Sequence, residues 1–346
     1  MSAVERSDEA PALQALGVSA GYGSGRRTPD VLHDIDLSVD PSRALGVVGE
    51  SGSGKSTLAR VLVGQLRGRS GQVLLAGTDV GPLRGQALRD IRRQIQLIPQ
   101  DPYASLDPRM SIRQALQEAI EPQGRRHPGM RERVSELLRT VALDPGAADR
   151  RPHEFSGGQR QRIAIARALA VEPEVLIADE VTSSLDSSVQ AEILNLLRSI
   201  QARTGVAMVF ITHDLSVANY MCDEIAVMYL GRIVERGGRR LLSSPEHPYT
   251  RVLVDSIPRF GAMGEGTSRA TVIIEEAADP AHPPSGCPFH PRCPQGPRFH
   301  PDRSVCVSTR PTLTVHGAEE RVGEERATAC HFPLLPPTTT PSRPGL

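Results

Sequence analysis

The stretch Gly49-Glu-Ser-Gly-Ser-Gly-Lys-Ser-Thr57 follows the apolar run at 44–48 and precedes residues of helix-forming type. It fits the pattern G-x-x-x-x-G-K-[ST] in the strand-to-helix setting that the pattern needs. Gly49, Gly52 and Gly54 let backbone N–H groups turn inward, and Glu50, Ser51 and Ser53 complete the loop. Together with the positive end of the helix that follows, such a loop surrounds phosphate oxygens. Lys55 offers a compact charge to the β- and γ-phosphates, and Ser56, next to Thr57, offers a hydroxyl to Mg²⁺. The stretch predicts an α/β fold that binds ATP or GTP.

Reading outward, the pattern alternates between strand and helix. "VLIAD" (175–179) and "VAMVFIT" (206–212) are buried-strand runs, and Val189, Ile193, Leu196, Leu197 and Ile200 recur between them at helical spacing. That rhythm implies a largely parallel sheet. Between 100 and 160 the text changes: Ile112, Ala115, Leu116, Ala119 and Ile120 form one helical stripe behind Ser111 as N-cap. Val134, Leu137, Leu138 and Val141 form another, with no strand between the two, so a helical subdomain inserted in the α/β core is expected. After about residue 258 proline, glycine, threonine and charge dominate, and "PLLPPTTTPSRPGL" reads as a disordered tail.

Composition narrows the classes. The chain has 346 residues, 39% hydrophobic and 23% charged, with a formal net charge of zero, which argues against a nucleic-acid partner. No apolar run approaches the ~20 residues that span a bilayer. The acidic start "MSAVERSDEAPALQ" does not read as a signal peptide, so a cytosolic chain is expected. Lys55 is the single lysine among 40 basic residues, so arginine serves at every other cationic position.

Two further constellations carry chemistry. "VLIADE" brings Asp179 and Glu180 to the end of a predicted strand, at the sheet edge where the phosphate loop lies. Asp179 can hold a metal through water, and Glu180 can polarise an attacking water. "FSGGQRQRIAIARAL" opens a second helix with Ser156, Gly157, Gly158 and Gln159, whose backbone donors make sense if they cover a phosphate bound by another copy.

With these motifs in this order, the chain resembles the ATP-binding subunits of ABC transporters over roughly residues 16–250. The resemblance implies a P-loop NTPase core of ABC type with a helical subdomain at about 100–170, preceded by a disordered stretch 1–15. It further implies that Tyr22 stacks on adenine, that Gly49 to Thr57 are Walker A, and that Gln100 in "IPQDPYASLDP" is the Q-loop contact to Mg²⁺ and the membrane subunit. Ser156 to Gln159 match the ABC signature, Asp179 and Glu180 match Walker B and the catalytic glutamate, Asp186 in "SSLD" the D-loop, and His213 in "ITHDL" the switch histidine. Phe155 stands where leucine is commoner, and Val181 where the family usually has proline.

"HPYTRVLVDSIP" (247–258) and "GCPFHPRCP" (286–294) resemble the C-terminal region of oligopeptide and dipeptide importer ATPases, and "PHEFSGGQRQRIAIARAL" resembles the second of the two ATPases in such systems. A small irregular C-terminal extension over 251–332 and a tail 333–346 are therefore expected. Cys287, Cys293, Cys306 and Cys330 lie there with gaps of five, twelve and twenty-three residues. The family associates such cysteines with a [4Fe–4S] cluster. "CPQGPRFHPDRSVC" looks like an insertion relative to the family, and zinc or four unligated thiols are the alternatives. The resemblance implies two permease subunits, a second ATPase subunit that is a paralogue, an extracellular binding protein and a place on the cytoplasmic face of the membrane. Import of nickel or another small solute, and a soluble non-transport ABC ATPase, are the rival functions.

Overall fold

The computed structural model describes residues 10–23, 29–122, 128–183, 185–256, 282–316 and 326–334. Most of the stretches expected to be disordered, 1–9 and 335–346, lie outside the described residues.

The described residues form two sheets. β1 (Leu13–Ala20), β2 (Leu32–Val39), β4 (Ser70–Leu75) and β5 (Thr78–Asp79) form an antiparallel sheet in the order β2-β1-β4-β5. Among the described residues the first strand begins at Leu13, and the domain boundary expected at 16 falls inside it. The other sheet has a parallel centre. In it, β6 (Ile95–Ile98), β7 (Val175–Asp179), β8 (Ala207–Thr212), β3 (Ala44–Val48) and β9 (Glu224–Tyr229) lie side by side. Every residue of β3, β7 and β8 is buried, as continuous apolar strands covered on both faces must be.

Helices flank the parallel strands in sequence: α1 (Lys55–Leu62) after β3, α2 (Gly85–Gln94) before β6, α6 (Ser187–Thr204) after β7 and α7 (Leu215–Met221) after β8. Between β6 and β7 the described residues form only helices and short 3₁₀ turns, with α3 (Ile112–Ile120), α4 (Met130–Thr140) and α5 (Gly157–Leu169). Ser111 caps α3 as expected: its hydroxyl accepts from Gln114 N–H, and Gln114 returns the bond to Ser111 N–H at 2.8 Å.

The C-terminal segment is less irregular than its composition suggests. α8 (Pro248–Asp255) runs across the expected boundary at 250. β10 (Arg232–Gly238) pairs antiparallel with β9 on one side and with β12 (Arg326–Thr328) on the other, and β11 (Thr314–His316) pairs with β12. With the short α9 (Val305–Ser308), the segment continues the main sheet and packs into the main core through Phe289 and Tyr249. A proline-rich stretch too small for its own core is completed by one that already exists.

Candidate nucleotide site

The carboxyl edge of the parallel strands gathers the sequence motifs. Gly49 leaves β3, Gln100 follows β6, Asp179 ends β7 and His213 follows β8. Ligands of open α/β sheets bind at this edge. Gly54 caps α1 in the left-handed conformation at φ 103. Lys55 is buried, and its ammonium donates to the carbonyls of Gly49 and Glu50 at 2.8 Å each and reaches the Ser53 hydroxyl at 3.4 Å. Burial lowers its pKa, against the opposing pull of Glu180, Asp179 and Glu50.

Ser56 donates to Asp179 Oδ1 at 3.2 Å. Burial raises the Asp179 pKa, and the Ser56 bond offsets part of that rise. Glu180 stands at φ 46, and its N–H donates to the Ile211 carbonyl at 2.8 Å. There its carboxylate meets two of the residues singled out in the sequence. Gln100 Nε2 donates to Glu180 Oε2 at 3.0 Å, and His213 Nδ1 lies 3.5 Å from Glu180 Oε1. Val181 is buried in the core, and the turn after Glu180 closes without proline through Ser183 N–H to the Glu180 carbonyl at 3.1 Å. Tyr22 lies beside α1: its hydroxyl is 3.2 Å from Thr57 Oγ1 and accepts from Arg60 at 2.9 Å. Its ring is half-exposed, at 44%.

Residues 32–183 match the ABC transporter family, and residues 234–297 match the oligopeptide/dipeptide transporter C-terminal region. A protein of Brucella ovis that carries the name peptide import ATP-binding protein is 41% identical over 88% of this chain and 94% of its own length. A peptide ABC transporter ATP-binding protein of Sinorhizobium fredii is 46% identical over 87% of this chain and 82% of its own. The chain belongs to the ATP-binding proteins of ABC transporters, in the oligopeptide/dipeptide branch. Among solved structures, cbiO1 of Clostridium perfringens, part of the ABC transporter complex cbiONQ, aligns at a TM-score of 0.60 and 28% identity. That alignment covers 67% of this chain and 90% of cbiO1. The ATP-binding cassette MJ0796, solved as a dimer bound to ADP and Pi, aligns equally well at 0.60 and 28%, covering 66% of this chain and 99% of its own.

Ser156 to Gln159 stand apart from these residues. Ser156 caps α5, accepting from Gln159 N–H at 3.3 Å while Gln159 accepts from Ser156 N–H at 3.0 Å. Gly158 lies so close to α6 that a Cβ there would come within 2.4 Å of Val189 Cγ1. Asp186 caps α6, accepting from Val189 N–H at 3.0 Å, and its hydrogen bonds with Ser188 and Val189 lower its pKa. Phe155 is buried in the core, as an apolar exchange for leucine should be. Among the described residues, no hydrogen bond or ion pair joins Ser156–Gln159 to Gly49–Thr57 of the ABC ATPase.

Cys287, Cys293, Cys306 and Cys330 line one buried hollow, together with Phe289 and Phe332. Burial pushes the Cys287 thiol up to about 11 and the Cys293 and Cys330 thiols to about 12, and raises Cys306 as well. No group of three His, Cys, Asp or Glu among the described residues is arranged to hold a single metal ion. No helix among them is long and apolar enough to cross a membrane.

Sequence reasoning missed two residues here. Arg292 and Tyr249 both bond Glu50 of the phosphate loop, at separations of 242 and 199 residues, and no local pattern announces such a pairing.

Proposed function

We propose that this ABC ATPase drives the import of oligopeptides or dipeptides, as one of two ATPase subunits beneath two permeases. The observation that carries this reading is the match of residues 234–297 to the oligopeptide/dipeptide transporter C-terminal region, beside a complete set of ATPase residues. Tyr22 receives the adenine, and the loop from Gly49 to Thr57 receives the phosphates, with Lys55 at the β/γ end. Ser56 and Asp179, already 3.2 Å apart, fit a hard cation with oxygen ligands, and Gln100 completes their side of the site. When bound, Mg²⁺ neutralises charge on the transferring phosphoryl group. Glu180 polarises the attacking water, and His213 touches the γ-phosphate and orients it against Glu180.

The signature from Ser156 to Gln159 has no ATP to serve in its own chain. It covers the γ-phosphate held by a second ATPase subunit, a paralogue in this reading, with Asp186 at the dimer seam. Dimer closure moves the permeases through the helical region near Gln100. A cleft of about 950 Å³ lies there between α2, α3 and α5, lined by Arg93, Glu118 and Arg167, and suits a polar permease segment. An extracellular binding protein delivers the peptide, and the ATPase works on the cytoplasmic face of the membrane without a nucleic-acid partner. In this reading the chain divides into a nucleotide-binding domain (16–250) with its helical subdomain and a C-terminal region (251–332).

Four thiols lining one hollow are the donor type that the thiolate ligation of a [4Fe–4S] cluster uses. Bound there, the cluster would supply an electron-accepting site and a covalent staple for the segment. The raised thiol pKa values mean that protons must leave when the ligands form. Reconstitution with iron and sulfide is expected to give equal amounts of both and a thiolate-to-iron absorption band. A colourless protein after reconstitution, with or without bound zinc, overturns the cluster.

The transport role is tested in the host cell. Deleting the chain is expected to abolish uptake of labelled di- and oligopeptides, and the wild-type chain to restore it where Glu180→Gln does not. Unchanged peptide uptake in the deletion, or loss of nickel uptake alone, overturns the reading.

A further inference from the structure

Glu50 occupies a position of the phosphate loop for which the phosphate-binding pattern demands no particular side chain. A carboxylate there adds negative charge beside the place where a triphosphate must sit. Its surroundings answer the problem. Arg292 donates from Nη1 to Glu50 Oε2 at 2.9 Å and from Nη2 to Oε1 at 3.0 Å, a bidentate fork on the carboxylate. The Arg292 side chain is only 11% exposed and that of Glu50 30%, so solvent screens the pair weakly. On the other side of the same residue, the Glu50 N–H donates to the Tyr249 hydroxyl at 2.9 Å.

Both partners are themselves fixed. Tyr249 is fully buried, with its ring centroid 4.6 Å from Tyr229 and 5.3 Å from Phe289. The Arg292 guanidinium lies 5.8 Å from the Phe289 centroid. Glu50 is thus gripped at its backbone and at its carboxylate by one aromatic cluster of the C-terminal segment. Its carbonyl is in turn one of the two on which the Lys55 ammonium rests at 2.8 Å.

We propose that Arg292 is a positioning residue for ATP, neutralising Glu50 and holding the peptide that aims Lys55 at the phosphates. The proposal does not depend on what the cysteines hold or on which solute is carried. Arg292 touches no phosphate; it acts through Glu50. The ion pair and hydrogen bonds hold the Arg292 charge on even more firmly than usual.

Steady-state ATPase kinetics separate this role from plain structural support. Arg292→Ala leaves Glu50 unpaired, so KM for ATP is expected to rise about tenfold, while kcat at saturating ATP stays within about twofold. Arg292→Lys restores the charge but not the fork, and is expected to raise KM only about threefold at wild-type thermal stability. The decisive variant is Arg292→Ala with Glu50→Gln, in which the repulsion is gone and KM should return to within about threefold of wild type. A wild-type KM in Arg292→Ala overturns the proposal. So does a raised KM that Glu50→Gln fails to recover, since the defect then lies in the fold of the segment. If Arg292→Ala does not fold, Arg292→Lys decides alone: unchanged KM in a stable protein sinks the idea.

Discussion

Glu180 sits at φ 46, a left-handed backbone that costs a non-glycine residue roughly 1–2 kcal/mol. The cost is held in place by its N–H bond to Ile211 and by the turn closed through Ser183. In return the carboxylate points where Gln100 and His213 converge on it. Strain of this kind persists where the surroundings over-determine it, which is typical of functional positions. Glu180→Gln keeps the side chain's shape but removes its negative charge, and with it the base that the proposed mechanism requires. Turnover should fall by about 10²–10⁴ while ATP binding persists and a closed dimer accumulates, read by phosphate release and by size exclusion with ATP. Hydrolysis at the wild-type rate would remove Glu180 from the role of base. Lys55 shows the complementary logic: its ammonium rests on two carbonyls at 2.8 Å within a buried pocket, where a planar guanidinium has no room to fork. That geometry explains why the only lysine of the chain stands here.

At the scale of elements, what could be read from sequence depended on whether the periodicity was interrupted. α3 and α6 carry unbroken apolar stripes, and Ser111 announces the start of α3. The antiparallel sheet was illegible. Gly17 at φ 57 bulges β1, the register shifts between Ala15 and Val18, and the alternation that would mark a half-buried strand is lost. The start of α5 holds a further constraint that spacing does not reveal. Gly158 packs against Val189 on α6, a stiff β-branched side chain that cannot move aside easily. Gly158→Ala should therefore push the two helix starts apart at a cost of about 1–3 kcal/mol, lowering Tm by several degrees. Adding Val189→Ala should recover part of that loss in thermal melts. If the double variant melts no higher than Gly158→Ala, the close approach is not the cause.

For the whole molecule, the nucleotide motifs were legible because phosphate chemistry dictates residue types at short spacing. The weld between the two ends was not, because it is made by pairings across hundreds of residues. Composition marks the segment after residue 258 as a loose appendage, yet β12 pairs with β10 of the main sheet and Phe289 is buried against Tyr229 and Tyr249. Glu235, wholly buried, binds Arg326 at 2.7 Å and accepts the N–H groups of Glu246 and His247. A chain ending at Ser256 keeps every ATPase motif but loses Arg326, which leaves a buried carboxylate short of its cation at about 3–5 kcal/mol. It also loses Phe289, worth another 1.5–3 kcal/mol or so of apolar burial. Together these approach the ~5–15 kcal/mol that holds a typical domain folded. The truncated ATPase should therefore be poorly soluble or melt far below the full chain, and a given concentration of ATP should raise its Tm less than it raises that of the full chain. A truncated chain that stays soluble and binds ATP as the full chain does would make the C-terminal segment a true appendage, and would remove the physical basis for the Arg292 clamp with it.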